Sequence, residues 1–397
     1  MGLEAVVSGG GIGGLATAAA LARRGWDVTV FESQPTLRVT GSGIYVNSNG
    51  LAVLQDLGAY DRALRGAFMG DGVEQRDHLN NVILPAMMPP GVKMVSIPRF
   101  DLMESLADAA RGAGVKIVTG ALVIDARADG TLIFANGDKA QADLAIGCDG
   151  VWSPVRKALN LEEFHQRTAE GALRTIVQAT QEEMPEEARG RCIENWSGTR
   201  RLLITPINDT EVYLAMTCLS DDLQARDTRI QPCWGETFPD WAWLIDRIGD
   251  EVTWNVYSHI RCKQWSAGRT CILGDSAHAQ PPNLGQGGGM AMQNGIALAA
   301  FMANVHDRRD VPAALAEWEA TVRPLTEHCQ FWSVMFGEIT RIPDEVRPTF
   351  IRAAFTNDWV RESLGAAAAS TPVTRVDPSS PHEHRYRGAP LIPGATI

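Results

Sequence analysis

The sequence predicts an α/β protein in which a mostly antiparallel β-sheet is inserted into a parallel, nucleotide-binding domain. Three observations carry this expectation. The chain opens on a strand, a glycine turn, a helix and a second strand that ends on an acid. Two later apolar runs, Asp143 to Cys148 and Thr270 to Leu273, read as further buried strands. Between them, residues 160 to 264 alternate strand-like pieces with loops and hold five of the eleven tryptophans, which suits a separate antiparallel sheet.

The opening unit is the most specific. Leu3 to Ser8 is apolar, Gly9-Gly10-Gly11-Ile12-Gly13-Gly14 follows, Leu15 to Arg24 is alanine-rich, and Trp26 to Phe31 closes on Glu32 and Ser33. Gly9 permits the turn out of the strand, Gly11 lets backbone approach a pyrophosphate, and Gly14 lets the helix pack close to the sheet. The free N–H groups around Gly11, Ile12 and Gly13 then face the phosphates. Glu32 lies 21 residues after Gly11, the interval at which an acid meets a ribose hydroxyl and disfavours a 2′-phosphate. A glycine-rich turn alone is weak evidence; strand, helix, second strand and acid together make a Rossmann-like βαβ unit.

After Glu32 a glycine-punctuated loop leads into a strand around Tyr45. A helix from about Asn49 to Leu57 is ended by Gly58. Residues 66 to 98 carry four prolines and read as an excursion out of the nucleotide domain. Arg99 to Gly112 returns to helix, with Leu102, Leu106 and Ala110 on one face. Val115 to Thr119, Leu122 to Ala126 and Thr131 to Phe134 read as strands, the last turning at Asn136-Gly137. Beyond Thr270 to Leu273, helices are expected from about Gly288 to Ala303 and from Pro312 to Gln330, the second kinked at Pro324. The expected nucleotide domain is therefore 1–65, 99–160 and 265–330, and the substrate domain 66–98 and 161–264. C-terminal helices occupy 331–370 and a proline-rich extended tail 371–397.

Composition excludes some partners. A net charge of −11 argues against nucleic acid or an anionic membrane surface as partner. The nearest approach to a membrane span, Leu3 to Ala22, is broken by glycines and has no basic residue before it. Seven cysteines without a CxxC pair suit reduced thiols in the cytoplasm and no structural metal site.

Three stretches in order resemble the single-component FAD-dependent aromatic hydroxylases, the family that includes p-hydroxybenzoate and salicylate hydroxylases. They are the glycine turn with Glu32; Cys148-Asp149-Gly150-Val151-Trp152-Ser153-Pro154-Val155-Arg156; and residues 274–289, which begin Gly274-Asp275 and end Gly285-Gln286-Gly287-Gly288-Gly289. Gly43-Ile44-Tyr45, Asn49-Gly50-Leu51, Trp318-Glu319 and Arg323-Pro324 look like the members that oxygenate hydroxypyridine carboxylates. The family often has an acid where Asn294 stands.

The resemblance implies a p-hydroxybenzoate hydroxylase-like fold and a bound FAD. FAD would be held by the glycine turn, Glu32, Ser33, Arg38, Arg99, Val123, Asp149, Gly274, Asp275, Pro282, Gly285, Gln286, Gly287 and Gly288. NADH or NADPH would visit transiently, since no second GxGxxG unit exists. It places Tyr45, Asn47, Arg201 and Tyr213 around the substrate, with Tyr45, Tyr213 and Pro281 beside the reacting centre. Arg201 would hold a substrate carboxylate in two hydrogen bonds, and His278 would pack behind the flavin. The implied activity is hydroxylation, with ring opening left open, of a hydroxypyridine carboxylate or hydroxybenzoate-type acid. It would use O2 and NAD(P)H through a flavin C4a-hydroperoxide, in a monomer or homo-oligomer. A flavin reductase without oxygen insertion and a flavin-binding sensor remain alternatives on the same motifs.

Overall fold

The computed structural model describes residues 2–37, 42–89, 91–226, 230–249, 252 and 254–386. Strand β1 (Glu4–Ser8), helix α1 (Ile12–Ala22) and strand β2 (Asp27–Phe31) form the expected unit. β1 pairs in parallel with β2 on one side and with Leu144–Gly147 on the other. The six-stranded sheet is completed by Lys116–Val118 at one edge and by Thr270–Ile272 and Ser266–Ala267 at the other. Its strands are apolar runs because both faces are covered. Helix α1 is buried nearly all round, consistent with a helix caught between sheet and neighbours. One neighbour is α2 (Gly287–Met302), whose Gly295 crosses so close that a Cβ would lie 2.2 Å from Thr17 Oγ1.

The second large sheet has seven strands, in the order Trp254–Cys262, Glu162–Gln178, Glu211–Leu219, Arg200–Pro206, Cys192–Ser197, Val73–Arg76, Val82–Leu84. All its pairings are antiparallel except Cys192–Asn195 with Val73–Arg76. Trp234, Phe238, Trp241 and Leu244 pack beneath it in a core separate from that of the nucleotide sheet.

Two expectations need correction. The 66–98 excursion does not belong to one domain. Val73–Arg76 and Val82–Leu84 extend the large sheet, whereas Phe68–Gly70 and Met94–Pro98 pair with Gly43–Asn47 in a separate three-stranded sheet. Cuts after residues 65 and 98 therefore divide a sheet whose partners are far apart in sequence. The long helix α3 (Val311–Gly337) runs across Pro324 and past residue 330. Its buried stripe continues through Cys329, Ser333 and Phe336, and that burial outlasts the expected stop.

The first part of the tail is held on the nucleotide domain. Arg24 Nη2 donates to the Thr374 carbonyl at 2.8 Å and Asn304 Nδ2 to that of Val376 at 3.1 Å. Residues 387–397 lie outside the described residues. Among the described residues, no helix is long and apolar enough to cross a membrane.

Candidate active site

The glycine turn has the geometry its residue types require. Gly9 has φ +104°, and a Cβ there would meet the Cys148 carbonyl oxygen at 2.2 Å. A Cβ on Gly14 would stand 2.0 Å from the Gly9 oxygen, so the helix approaches as only glycine allows. At Gly11, by contrast, a Cβ would meet nothing within 4 Å, which leaves room for a ligand over the turn. Gly11 caps α1 with no side-chain hydrogen bond, so its first N–H groups are free for an anion. Helix α2 also starts without a side-chain cap, at Gln286. The two starts adjoin: Gly13 abuts Ala291, and Gly288 abuts Ile12 and Ile44. Their positive ends thus bear on one cleft.

Glu32 sits at the end of β2, 9% exposed. Its Oε2 accepts from Gly10 N at 2.9 Å; its Oε1 accepts from Gln34 N at 2.8 Å and Ser33 Oγ at 3.1 Å. A carboxylate offers about four lone-pair positions, so one remains for a ribose hydroxyl. Val123 is buried on the strand that begins just after Ala121, whose N–H donates to the Glu32 carbonyl. Arg38 lies outside the described residues.

The two later motifs are tied to one another. Asp149 accepts from Ser276 Oγ at 2.9 Å and from Val155 N at 3.3 Å, while Ser276 Oγ accepts from Gly150 N at 3.0 Å. Asp149 therefore braces the two stretches, and burial raises its pKa. Arg156, a residue to which sequence reasoning assigned no role, completes the brace from a buried position. It donates to the Ser276 and Val151 carbonyls at 2.8 and 2.7 Å and pairs with Glu162 at 2.9 Å. Gly274, at φ +68°, turns the chain into the short helix Asp275–His278. Asp275 is exposed to solvent, with protein packed around its base. That packing raises its pKa against the pull of Arg99 and Arg174.

The substrate-side candidates converge in part. The Tyr45 ring lies against Gly285, whose Cβ would be 3.2 Å from it, and its hydroxyl is hydrogen-bonded to Thr205. Tyr213 packs on Gly43 in the same strand as Tyr45. Burial raises both phenols, so both keep their protons. Asn47, 6% exposed, has an Oδ1 without a hydrogen-bond partner among the described residues. Pro281 accepts from Ser333, and Pro282 is exposed.

Arg201 departs from expectation. It shares a sheet face with Tyr213, but the register pairs Tyr213 with Thr205 and Arg201 with Thr217. Four residues of strand, or ~13 Å, thus separate the two along the sheet. Its Nη1 is 3.3 Å from Glu194 Oε1, its Nη2 donates to Asn283, and its plane lies 5.0 Å over Trp196. The expected grip on a substrate carboxylate is corrected accordingly, because protein groups already meet this charge.

Sequence reasoning missed Glu194, Arg174 and Tyr257. Arg174 lies 5.4 Å over the Tyr257 ring and interacts electrostatically with Tyr213 and Asp275, linking the sheet to the nucleotide cleft. The signal available was a strand-like stretch around each, which does not identify partners across a sheet.

Two adjoining uncapped helix starts with an acid at the end of β2 form a dinucleotide-type cleft. Gly11's open space and the uncapped starts of α1 and α2 fit FAD. The chain belongs to the FAD binding domain family, which it matches over residues 3–330, and it is an FAD-dependent monooxygenase. It is 38% identical to a probable 2-heptyl-3-hydroxy-4(1H)-quinolone synthase of Rhodococcus erythropolis, over 91% of this chain and 95% of that one. It is 36% identical to the 2-heptyl-3-hydroxy-4(1H)-quinolone synthase of Mycobacteroides abscessus, over 88% and 94%. Its fold is similar to the tetrameric form of 2-methyl-3-hydroxypyridine-5-carboxylic acid oxygenase, with a TM-score of 0.84, 29% identity and 94% and 98% coverage.

Two predictions arise here. Glu32→Ala should weaken FAD binding by ~1.5–3 kcal/mol through loss of charged hydrogen bonds, read by fluorimetric titration. An unchanged dissociation constant would remove Glu32 from the cofactor site. His278 is buried, 5.3 Å from Trp265, with Asn294 Nδ2 at 3.1 Å from its Nε2, and burial lowers its pKa to about 4. The unfolded chain therefore binds the proton first, so the stability due to the neutral ring is complete above pH 6.5 and lost as pH falls. By pH 4 the loss reaches ~3 kcal/mol. Urea unfolding across that window should be steeper in pH for wild type than for His278→Gln, and equal slopes would mean that the ring is already solvated.

Proposed function

We propose that the protein hydroxylates carbon 3 of a 4(1H)-quinolone bearing an alkyl chain, consuming NAD(P)H and O2 and releasing water with the product. The observation that carries this reading is the Arg201–Glu194 pair, which matches the cation a substrate carboxylate would need and so favours a neutral ring. The names of the two quinolone synthases support the same ring system. A 4(1H)-quinolone is a vinylogous amide, whose nitrogen lone pair makes carbon 3 the nucleophilic position. Bound FAD supplies electron transfer from NAD(P)H and activation of O2. Tyr45, oriented by Thr205, and Tyr213 enter as neutral phenols able to donate to the ring carbonyl. Pro281, which is buried, presents no N–H group and helps to keep the reacting side dry.

Aerobic incubation with 2-heptyl-4(1H)-quinolone should accelerate NAD(P)H oxidation and give a product heavier by one oxygen. Acceleration without a heavier product, or none at all, would sink the reading. A hydroxypyridine carboxylate is the second reading, favoured by the likeness to the pyridine oxygenase. Product from that acid and none from the quinolone would put it first. The tetrameric neighbour supports a homo-oligomer, and seven free cysteines support a reducing cytoplasm.

A further inference from the structure

In the inserted sheet one guanidinium stands between two buried carboxylates. Arg201 is 4% exposed, Glu194 7% and Glu170 8%. Glu194 Oε2 accepts from Gln75 Nε2 at 2.8 Å, which fixes its other oxygen towards Arg201. Glu170 accepts from Thr340 and adds its field to that of Glu194 on Arg201. Burial alone would lower the Arg201 pKa, but Glu194, Glu170 and Tyr257 together outweigh it, and burial raises that of Glu194. Arg201 Nη1 nonetheless has no well-directed hydrogen bond, so one donor edge of this buried group is unspent. The triad borders the reacting side. Arg201 reaches Asn283 in the Pro282–Leu284 turn next to Gly285, and Tyr45, which leans on Gly285, lies within the field of Glu194.

Resting on the reading of this cleft as the substrate site, we propose that Glu194 sets substrate charge: by matching Arg201 it admits a neutral ring and refuses an aromatic carboxylate. The Glu194 carboxylate 3.3 Å from Arg201 offsets its positive charge, so an incoming anion would have to lose its water with no unmatched cation to meet it. Removing the Glu194 charge leaves Arg201 with a free planar edge, the geometry that binds a carboxylate in two hydrogen bonds.

The test uses FAD-loaded wild type, Glu194→Gln and the double variant Glu194→Gln/Arg201→Gln. Each is titrated through the flavin absorbance with 3-hydroxybenzoate, 2-methyl-3-hydroxypyridine-5-carboxylate and the neutral 2-heptyl-4(1H)-quinolone. The single variant should bind both carboxylates about tenfold or more tighter than wild type, and the double variant should return to the wild-type value. Unchanged carboxylate binding in the single variant, or a gain that survives in the double one, would overturn the proposal. If Glu194→Gln fails to retain FAD, thermal unfolding decides. Carboxylates that raise its midpoint more than that of wild type support the role, and equal shifts overturn it. A wild type that leaves the quinolone unoxidised defeats the functional reading without touching these titrations. Quinolone turnover with unaltered carboxylate binding defeats Glu194 alone.

Discussion

Arg201→Ala is expected to destabilise the protein by ~3–5 kcal/mol, because it strands the buried Glu194 carboxylate without its partner. The guanidinium also covers Trp196 and approaches Phe336 at 5.9 Å, so its loss opens the core where α3 meets the sheet. Urea titration of the holoenzyme should show a lower midpoint with an unchanged slope. A loss below ~1 kcal/mol, the size typical of a surface pair, would mean that water screens the pair and that Arg201 is not buried in solution.

Gly14→Ala should give a largely colourless protein. The added methyl would fall 2.0 Å from the Gly9 oxygen and 3.3 Å from Cys148 Cβ, so backbone rather than a pliable side chain has to move. Overpacking of this kind costs ~1–3 kcal/mol or more, and it displaces the start of α1 from the cofactor cleft. Gly11→Ala is the informative contrast. Its φ of −79° suits alanine and its Cβ meets no protein atom, so thermal stability of the FAD-free protein should hold while FAD retention falls. Equal loss of stability in both variants would show that the turn is sensitive to any side chain rather than shaped around a ligand.

These contrasts show where sequence was sufficient. The βαβ unit, the helix Arg99–Gly112 and the left-handed stop at Gly58 were legible because each depends on neighbours a few residues away. The Arg201–Glu194 pair was not. Glu194 stands in Cys192–Ser197, a strand that is buried almost throughout and lacks the polar alternation of a half-exposed one. The parallel pairing of that strand with Val73–Arg76 joins segments some 120 residues apart, and no local pattern encodes it. Arg174 was hidden for the same reason, since its partners Tyr257 and Asp275 come from distant parts of the chain. The glycine turn is a local motif, whereas the surroundings of Arg201 are a product of tertiary register.

The crossing of α1 by α2 bears on how the chain emerges during translation. Ala16, Ala18, Ala19 and Leu21 lie on α1, but the helix that crosses α1 at Thr17 follows more than 260 residues later. The strand Thr270–Ile272 that completes the parallel part of the sheet is almost as late. At ~5–20 residues per second, roughly ten seconds to a minute pass before that apolar surface is covered. The nascent chain thus carries the apolar α1 uncovered for that time. Transiently exposed apolar surface of this kind favours aggregation, so slowing elongation late in the message should lower the soluble yield.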